Sequence, residues 1–172
     1  MNTSSRFSSR SLAVLGAAIL CSLLTACGQP VASEKKTLNQ QQADQRAEEH
    51  IQRAVAAVFT PPPRLERKLF LTSECDDPTD LGPKGRVQVS RSYWLRDLPK
   101  ERNREYFDKI HEYWTHNGYR VLQDDRADPN NPALYVEHND DAFRMTLYSS
   151  IQGDLFLGAT SPCIWPTGEP TP

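Results

Sequence analysis

Two histidines lie five positions apart in HEYWTH, residues 111–116. A zinc protease spaces its histidines four apart, as H-E-x-x-H, because residues at that spacing share one helix face and reach one metal. Five positions along a helix place His116 about 140° beyond a full turn from His111. No carboxylate or third histidine follows at the usual distance. We therefore expect both histidines on a helix surface, without a metal between them.

Three short clusters of aspartates are the next candidates for chemistry, because calcium binds several hard oxygens from one loop. None has the D-x-D-x-D-G order of an EF-hand. Aspartate is also common in turns, where its side chain bonds to nearby backbone. We assign all three clusters to turns: Asp76, Asp77 and Asp80; Asp124, Asp125 and Asp128; and Asp140 and Asp141.

The sequence contains no G-x-S-x-G, P-loop or G-x-G-x-x-G pattern. It therefore offers no starting point for hydrolase, phosphate-loop or dinucleotide chemistry. A carboxylate pair for glycoside cleavage stays open, because such pairs are close in space rather than in sequence. The sequence by itself assigns no catalytic residue, no metal ligand and no cofactor.

The chain has four cysteines, at positions 21, 27, 75 and 163. In an exported protein Cys75 and Cys163 would pair as a disulfide. A bridge across that separation contributes about 4.5 kcal/mol in the chain-entropy model. A zinc site is a weaker alternative because the two cysteines lack C-x-x-C spacing. A catalytic thiol is weaker still, because a disulfide has no free thiolate.

The N-terminus has the pattern of an export signal. Arg6 and Arg10 precede an uncharged run over residues 12–24, LAVLGAAILCSLL. A membrane-spanning helix needs about 20 apolar residues, so this run is too short to span comfortably. Its length and flanks match the apolar region of a signal peptide.

The tetrapeptide LTAC, residues 24–27, follows that run and resembles the lipobox of bacterial lipoproteins. The resemblance implies cleavage after residues 1–26, which removes Cys21, and acylation of Cys27. Two or three acyl chains hold a protein stably on a membrane, because each buried methylene contributes about 0.8 kcal/mol. The expected location is the outer face of the plasma membrane. An ordinary cleaved signal is the alternative, but no A-x-A site follows.

Charge argues against nucleic acid as a partner. The 172 residues include 20 Lys and Arg and 22 Asp and Glu. Loss of Arg6 and Arg10 with residues 1–26 leaves 18 basic against 22 acidic residues, a net charge of −4. Nucleic-acid-binding domains need a basic surface.

A short polar leader, residues 27–33, precedes an expected helix over residues 34–59, which has no Gly or Pro. The first half of this helix has few apolar residues, and we interpret it as a polar stem that spaces the domain from the membrane. Its second half has one apolar stripe, which we expect to dock on the domain. The stripe comprises Ala47, Ile51, Val55 and Val58, with Ala54 and Phe59 beside them.

The remaining chain, residues 60–168, predicts one globular domain followed by a disordered tail over 169–172. A helix over 99–117 has an aromatic stripe and ends before Gly118. Short loops join successive strands, which predicts antiparallel pairing. The fold class is α+β, with an antiparallel sheet of about five or six strands and two helices mainly on one face. The strands are expected at 65–72, 86–95, 119–123, 133–138, 142–149 and 154–160.

The three tryptophans have different expected environments. Trp114 lies in the aromatic stripe and is expected in the core, and Trp165 follows Cys163 closely and is expected over the disulfide. Trp94 falls on the polar side of its strand pattern. Trp94 is therefore the candidate for a binding surface.

Together these residues resemble small lipoproteins of actinobacteria, a group without a known activity. The resemblance rests on the lipobox, on YWTHNGY at residues 113–119 and on SPCIWPTG at residues 161–168. It implies export, a lipid anchor and a disulfide, and it implies no catalytic residue.

The leading functional hypothesis is a non-catalytic, lipid-anchored domain that binds another envelope component, most simply a protein. A flat face bordered by Trp94 would favour it. The alternative is a small envelope enzyme acting on cell-wall or other extracytoplasmic substrate, which a cleft with His111, Glu112 or His138 would favour. A solute receptor is disfavoured, because residues 60–166 are too few for two lobes.

Overall fold

The predicted α+β fold is present in the computed structural model, which describes residues 36–75 and 82–170. Cys27, the lipobox, the aspartates at positions 76, 77 and 80 and the last two residues lie outside the described residues. Within the described ranges no helix combines the length and the hydropathy needed to cross a membrane.

The described chain folds into two α-helices and six strands. Helix α1 comes first, the hairpin β1–β2 follows, and a 3-10 turn leads into α2 and the last four strands. The strands form one antiparallel sheet in the order β1-β2-β6-β5-β4-β3. Their bounds are α1 (Gln40–Val58), β1 (Arg64–Glu74), β2 (Val87–Arg96), the 3-10 turn (Lys100–Arg102), α2 (Asn103–His116), β3 (Tyr119–Asp124), β4 (Ala133–His138), β5 (Arg144–Ser149) and β6 (Leu155–Thr160).

Both helices pack on the same face of the sheet. Helix α1 lies over β2 and β6, and α2 lies nearer β3, β4 and β5. Strand side chains alternate between the two faces, so every second residue points at the helices. The largest fully buried side chains of this core are Trp114, Phe143, Ile51, Ile110, Leu134, Met145, Leu147 and Leu157.

Helix α1 is part of the core along its whole length, which corrects our expectation of a polar stem. Ala43, in the half predicted to be a spacer, is fully buried, and so is Ala47, the first residue of the stripe that was expected to dock. The helix begins at Gln40 rather than at residue 34, and Asn39 and Gln42 form a capping box at its start. The sequence misled because Ala43 and His50 add to the buried stripe there, and neither is strongly apolar.

Helix α2 confirms the predicted second helix and its end, although the α-helix begins at Asn103 rather than at residue 99. The 3-10 turn precedes it, and Gly118 follows it with a φ of 81°. That backbone conformation is readily available to glycine. Trp114 is fully buried, as predicted for a core residue.

Cys75 and Cys163 lie at disulfide-bonding distance, with a Cα–Cα separation of 5.7 Å that is normal for a bridge. Cys75 follows the end of β1, and Cys163 lies just beyond β6. Next to the bridge, Val87 and Ile164 exchange two backbone hydrogen bonds of 2.8 and 2.9 Å. The pair therefore joins the start of β2 to the C-terminal segment.

That C-terminal segment also holds the start of α1. The Trp165 amide donates to the Thr37 hydroxyl at 2.8 Å, and the Thr37 amide donates to the Gly168 carbonyl at 2.9 Å. Glu169 pairs with Lys36 at 2.6 Å. Glu169, the first residue of the tail expected to be disordered, therefore has a partner in the adjacent N-terminal segment.

We expect Cys163→Ser to lower the free energy of unfolding by about 2–5 kcal/mol, because it releases the loop of 88 residues. Urea unfolding of the oxidised protein and the variant measures the difference. Reductant should destabilise the wild type and leave the variant unchanged. Equal stability of the oxidised and reduced wild type would contradict a bonded pair.

The buried position of Ala47 gives a second prediction. Ala47→Leu should destabilise the protein by about 1–3 kcal/mol, because a larger side chain overpacks a filled site. Ala56→Leu is the matched control, because Ala56 is exposed on the same helix. Thermal unfolding of both variants measures the two losses of stability. Equal losses would indicate a free stem rather than a docked helix.

Candidate functional site

The second face of the sheet is the surface that Trp94 was predicted to occupy. Residues of β2 on the helix side contact α1, since Tyr93 donates to Glu48 at 2.6 Å and Arg91 pairs with Asp44. Trp94 alternates with Arg91 and Tyr93 along β2, so it points to the opposite face of the sheet, away from both helices. It is half-buried there.

Three aromatic residues form a continuous row on this face. Trp94 is directly opposite Phe156 in the β2–β6 register, and Phe156 is directly opposite Tyr148 in the β5–β6 register. The ring centroids are 5.6 Å apart in the first pair and 5.1 Å in the second. These separations are in the range of favourable aromatic pairs. We call Trp94, Phe156 and Tyr148 the aromatic row.

Cationic side chains flank the row at its Trp94 end. The Lys68 ammonium lies 4.2 Å from the Phe156 centroid and 5.3 Å from that of Trp94. The Arg96 guanidinium lies 5.0 Å from the Trp94 centroid and pairs with Glu66 at 2.8 Å. These contacts fix the ring orientations and place positive charge beside an apolar surface.

Two exposed leucines and several short side chains lie beside the row. Leu69 and Leu71 on the outer strand β1 are 44% and 46% exposed. Both lie on this face, because they pair with Ser92 and Ser90, which alternate with the helix-facing residues of β2. Gly158 faces Ser92, and a Cβ added to Gly158 would lie 3.2 Å from the Ser92 Cβ. The row therefore stands beside short side chains, and neither helix covers it.

The structure brings together a second group of residues, whose proximity sequence reasoning did not predict. His50 Nδ1 lies 2.5 Å from the Tyr119 hydroxyl, and His50 Nε2 lies 3.0 Å from an Asp141 carboxylate oxygen. His138 Nδ1 lies 2.9 Å from the other oxygen of that carboxylate. The result is a chain of four side chains, Tyr119, His50, Asp141 and His138, which we call the histidine cluster.

Burial and mutual contacts shift the pKa values in the histidine cluster. Burial lowers the pKa of His50 and outweighs the hydrogen bond to Asp141. Burial alone would raise the pKa of Asp141, but the hydrogen bond and charge of His50 together with the other contacts lower it. Burial also raises the pKa of Tyr119. The contacts therefore favour the charged form of the Asp141 carboxylate, whereas burial favours the neutral form of His50.

The turn between β4 and β5 aims Asp141 into the histidine cluster. Asp141 also accepts the Phe143 amide at 3.3 Å. Ala142, between them, has a φ of 57°, a left-handed conformation that side chains other than Asn and Asp rarely adopt. Asp141 was assigned to a turn from the sequence, and it is in one. Its partner His50 lies 91 positions away, so spacing gave no sign of the contact.

The other candidate residues from the sequence lie apart from the aromatic row and the histidine cluster. His116 and Glu112 line an open depression of about 520 Å³ between the two helices. His138, by contrast, bonds Asp141 at the β4–β5 turn. Asp128 accepts the amides of Asn130 and Asn131 at 2.8 and 3.2 Å, as expected for a turn residue.

No protein-family model, curated protein or solved structure matches the chain. The case for a function therefore rests on the geometry and charge of the described residues.

The strained turn makes a stability prediction. Replacing alanine by glycine normally costs about 0.4–1 kcal/mol through the unfolded chain. At Ala142 relief of the left-handed strain, about 1–2 kcal/mol, should cancel or exceed that cost. Ala142→Gly is therefore expected to be neutral or stabilising in urea unfolding. Ala133→Gly, in the buried part of β4, is the control and should destabilise. Equal losses at both positions would contradict the assigned turn.

Proposed function

We propose that the protein is a lipid-anchored extracytoplasmic domain that binds another component of the cell envelope through the face of the sheet that bears the aromatic row. The partner is most simply a protein. The observation that carries the proposal is the row itself, three adjacent aromatic rings on a face that neither helix covers.

The residue types of this face suit a protein partner. Aromatic side chains and arginine are enriched where proteins bind one another, and they dominate the binding free energy there. Leu69 and Leu71 extend the apolar area toward the free edge of β1. The chain as a whole has a net charge of −2, which does not favour a nucleic acid.

The predicted lipid anchor supports the location. The proposed anchor at Cys27 lies shortly before the described residues, which start at Lys36 and lead directly into α1. Because α1 is docked, the spacer available in the proposed mature chain is shorter than a helical stem would have provided. A domain with a short tether meets its partners near the membrane surface.

The enzyme alternative has weaker support. Tyr119 and His50 resemble parts of a proton relay, but they are only 6% and 1% exposed. A substrate cannot reach either side chain in this structure. The depression with Glu112 and His116 is open, and the His116 ring bonds the Glu112 backbone carbonyl at 2.8 Å.

Site-specific photocrosslinking in the native envelope tests the proposal. A photoreactive residue in place of Leu71 should give a discrete adduct with one envelope protein. The same residue in place of Ala56, exposed on α1 behind the sheet, is the matched control and should give none. Equal adducts at both positions, or none at Leu71, would contradict a binding role for this face.

A second variant tests the row directly. Trp94→Ala should weaken the Leu71 adduct by about tenfold or more, because a central aromatic residue of an interface contributes about 2 kcal/mol or more. Thermal unfolding of the variant checks that the loss comes from binding rather than from misfolding. An undiminished adduct in a folded variant would place the binding surface elsewhere.

A further inference from the structure

We propose that His50, His138 and Asp141 form a binding site for a divalent transition metal ion, with zinc as the best match. The ligand atoms would be His50 Nε2, His138 Nδ1 and an Asp141 carboxylate oxygen. These atoms come from α1, the end of β4 and the β4–β5 turn, and all lie within 4.8 Å of one another.

The distances are close to those that a zinc ion needs. Zinc bonds of about 2.0–2.1 Å in a tetrahedron place the ligand atoms about 3.4 Å apart. His50 Nε2 and His138 Nδ1 lie 3.0 and 2.9 Å from the carboxylate, each from a different one of its two oxygens. The three ligand atoms lie within 4.8 Å of one another, so small side-chain rotations bring them to that spacing, and the His138 side chain is 20% exposed beside the turn.

The Tyr119 hydroxyl allows the His50 proton to move from one ring nitrogen to the other while the ring stays in position. Without metal, the tautomer that satisfies the carboxylate has Nε2–H donating to Asp141 and Nδ1 accepting from the Tyr119 hydroxyl. With metal, the His50 ring proton is on Nδ1, and Nδ1–H donates to the Tyr119 oxygen, which leaves the Nε2 lone pair for the ion. His138 likewise carries its proton on Nε2, which leaves the Nδ1 lone pair for the ion. Such a hydrogen bond to the second ring nitrogen is what orients histidine ligands in metal sites. A hydroxyl suits both states because it donates and accepts.

The ligand set selects the class of ion. Two imidazoles and one carboxylate are borderline ligands that suit zinc and its neighbours in the first transition series. Calcium and magnesium prefer several oxygens, and the site offers one carboxylate. Three protein ligands also leave a fourth position for water.

Access and charge are compatible with an ion from solution. Asp141 is 24% exposed at its side chain, so an ion can enter from that side and reach the buried His50. Arg46 approaches the same carboxylate at 3.8 Å and would compete with the ion. Its side chain is 41% exposed and is free to turn toward Glu49, its other partner at 3.4 Å.

Zinc titration of the full chain by calorimetry, in competition with a chelator, tests the proposal. The wild type should bind one zinc ion per chain and unfold at a higher temperature with zinc present. His138→Gln removes a ligand from a partly exposed position and should weaken zinc affinity by more than tenfold. Tyr119→Phe keeps all three ligands and should weaken it by about tenfold or more, through the lost hydrogen bond. The control is the double change His111→Gln and His116→Gln, which should leave the affinity unchanged.

A second readout separates a built site from surface coordination. In nitrogen NMR spectra, zinc should shift the ring signals of His50 and His138 and leave those of His111 and His116 in place. Absence of one-to-one binding by the wild type would overturn the proposal. Unchanged affinity in a folded His138→Gln variant, or equal loss in the His111 and His116 control, would also overturn it.

Discussion

The placement of both helices on one face of the antiparallel sheet is the constraint on which the rest of the structure depends. It commits one set of alternating side chains to the core, where Leu157 and Trp114 are fully buried. The other set is left on the second face. That face carries the aromatic row, flanked by Lys68 and Arg96, so the same alternation that builds the core also builds the candidate binding surface.

Docking of α1 has two further consequences. It brings His50 into the core opposite Tyr119 and Asp141, which creates the histidine cluster. It also brings the start of the helix to the C-terminal segment, where Thr37 bonds both Trp165 and Gly168. The two ends of the described chain are thus tied together beside the Cys75–Cys163 pair. A proposed lipid anchor would hold this end of the domain toward the membrane.

The sequence predicted the sheet, the second helix and the cysteine pairing because each has a local signal. Strand alternation, the turn at Gly118 and the cysteine count are visible without a structure. The role of α1 was predicted wrongly before Ala47, where Ala43 is fully buried in the core. The histidine cluster was out of reach because His50 and His138 meet only through tertiary packing. The strand pattern placed Trp94 on the face away from the helices, and its role in binding stays a prediction. Its neighbours Phe156 and Tyr148 emerge only from strand register.

Native mass spectrometry of the protein, extracted gently with detergent from its own cells, tests the central claim most directly. The account predicts a chain that begins at Cys27, carries acyl chains and lacks two hydrogens at the cysteine pair. It also predicts that a second protein is retained in the complex. A chain that keeps residues 1–26 with an unmodified Cys27 would contradict the proposed lipid anchor. An acylated monomer without a second protein would contradict the proposal that the domain binds a protein partner.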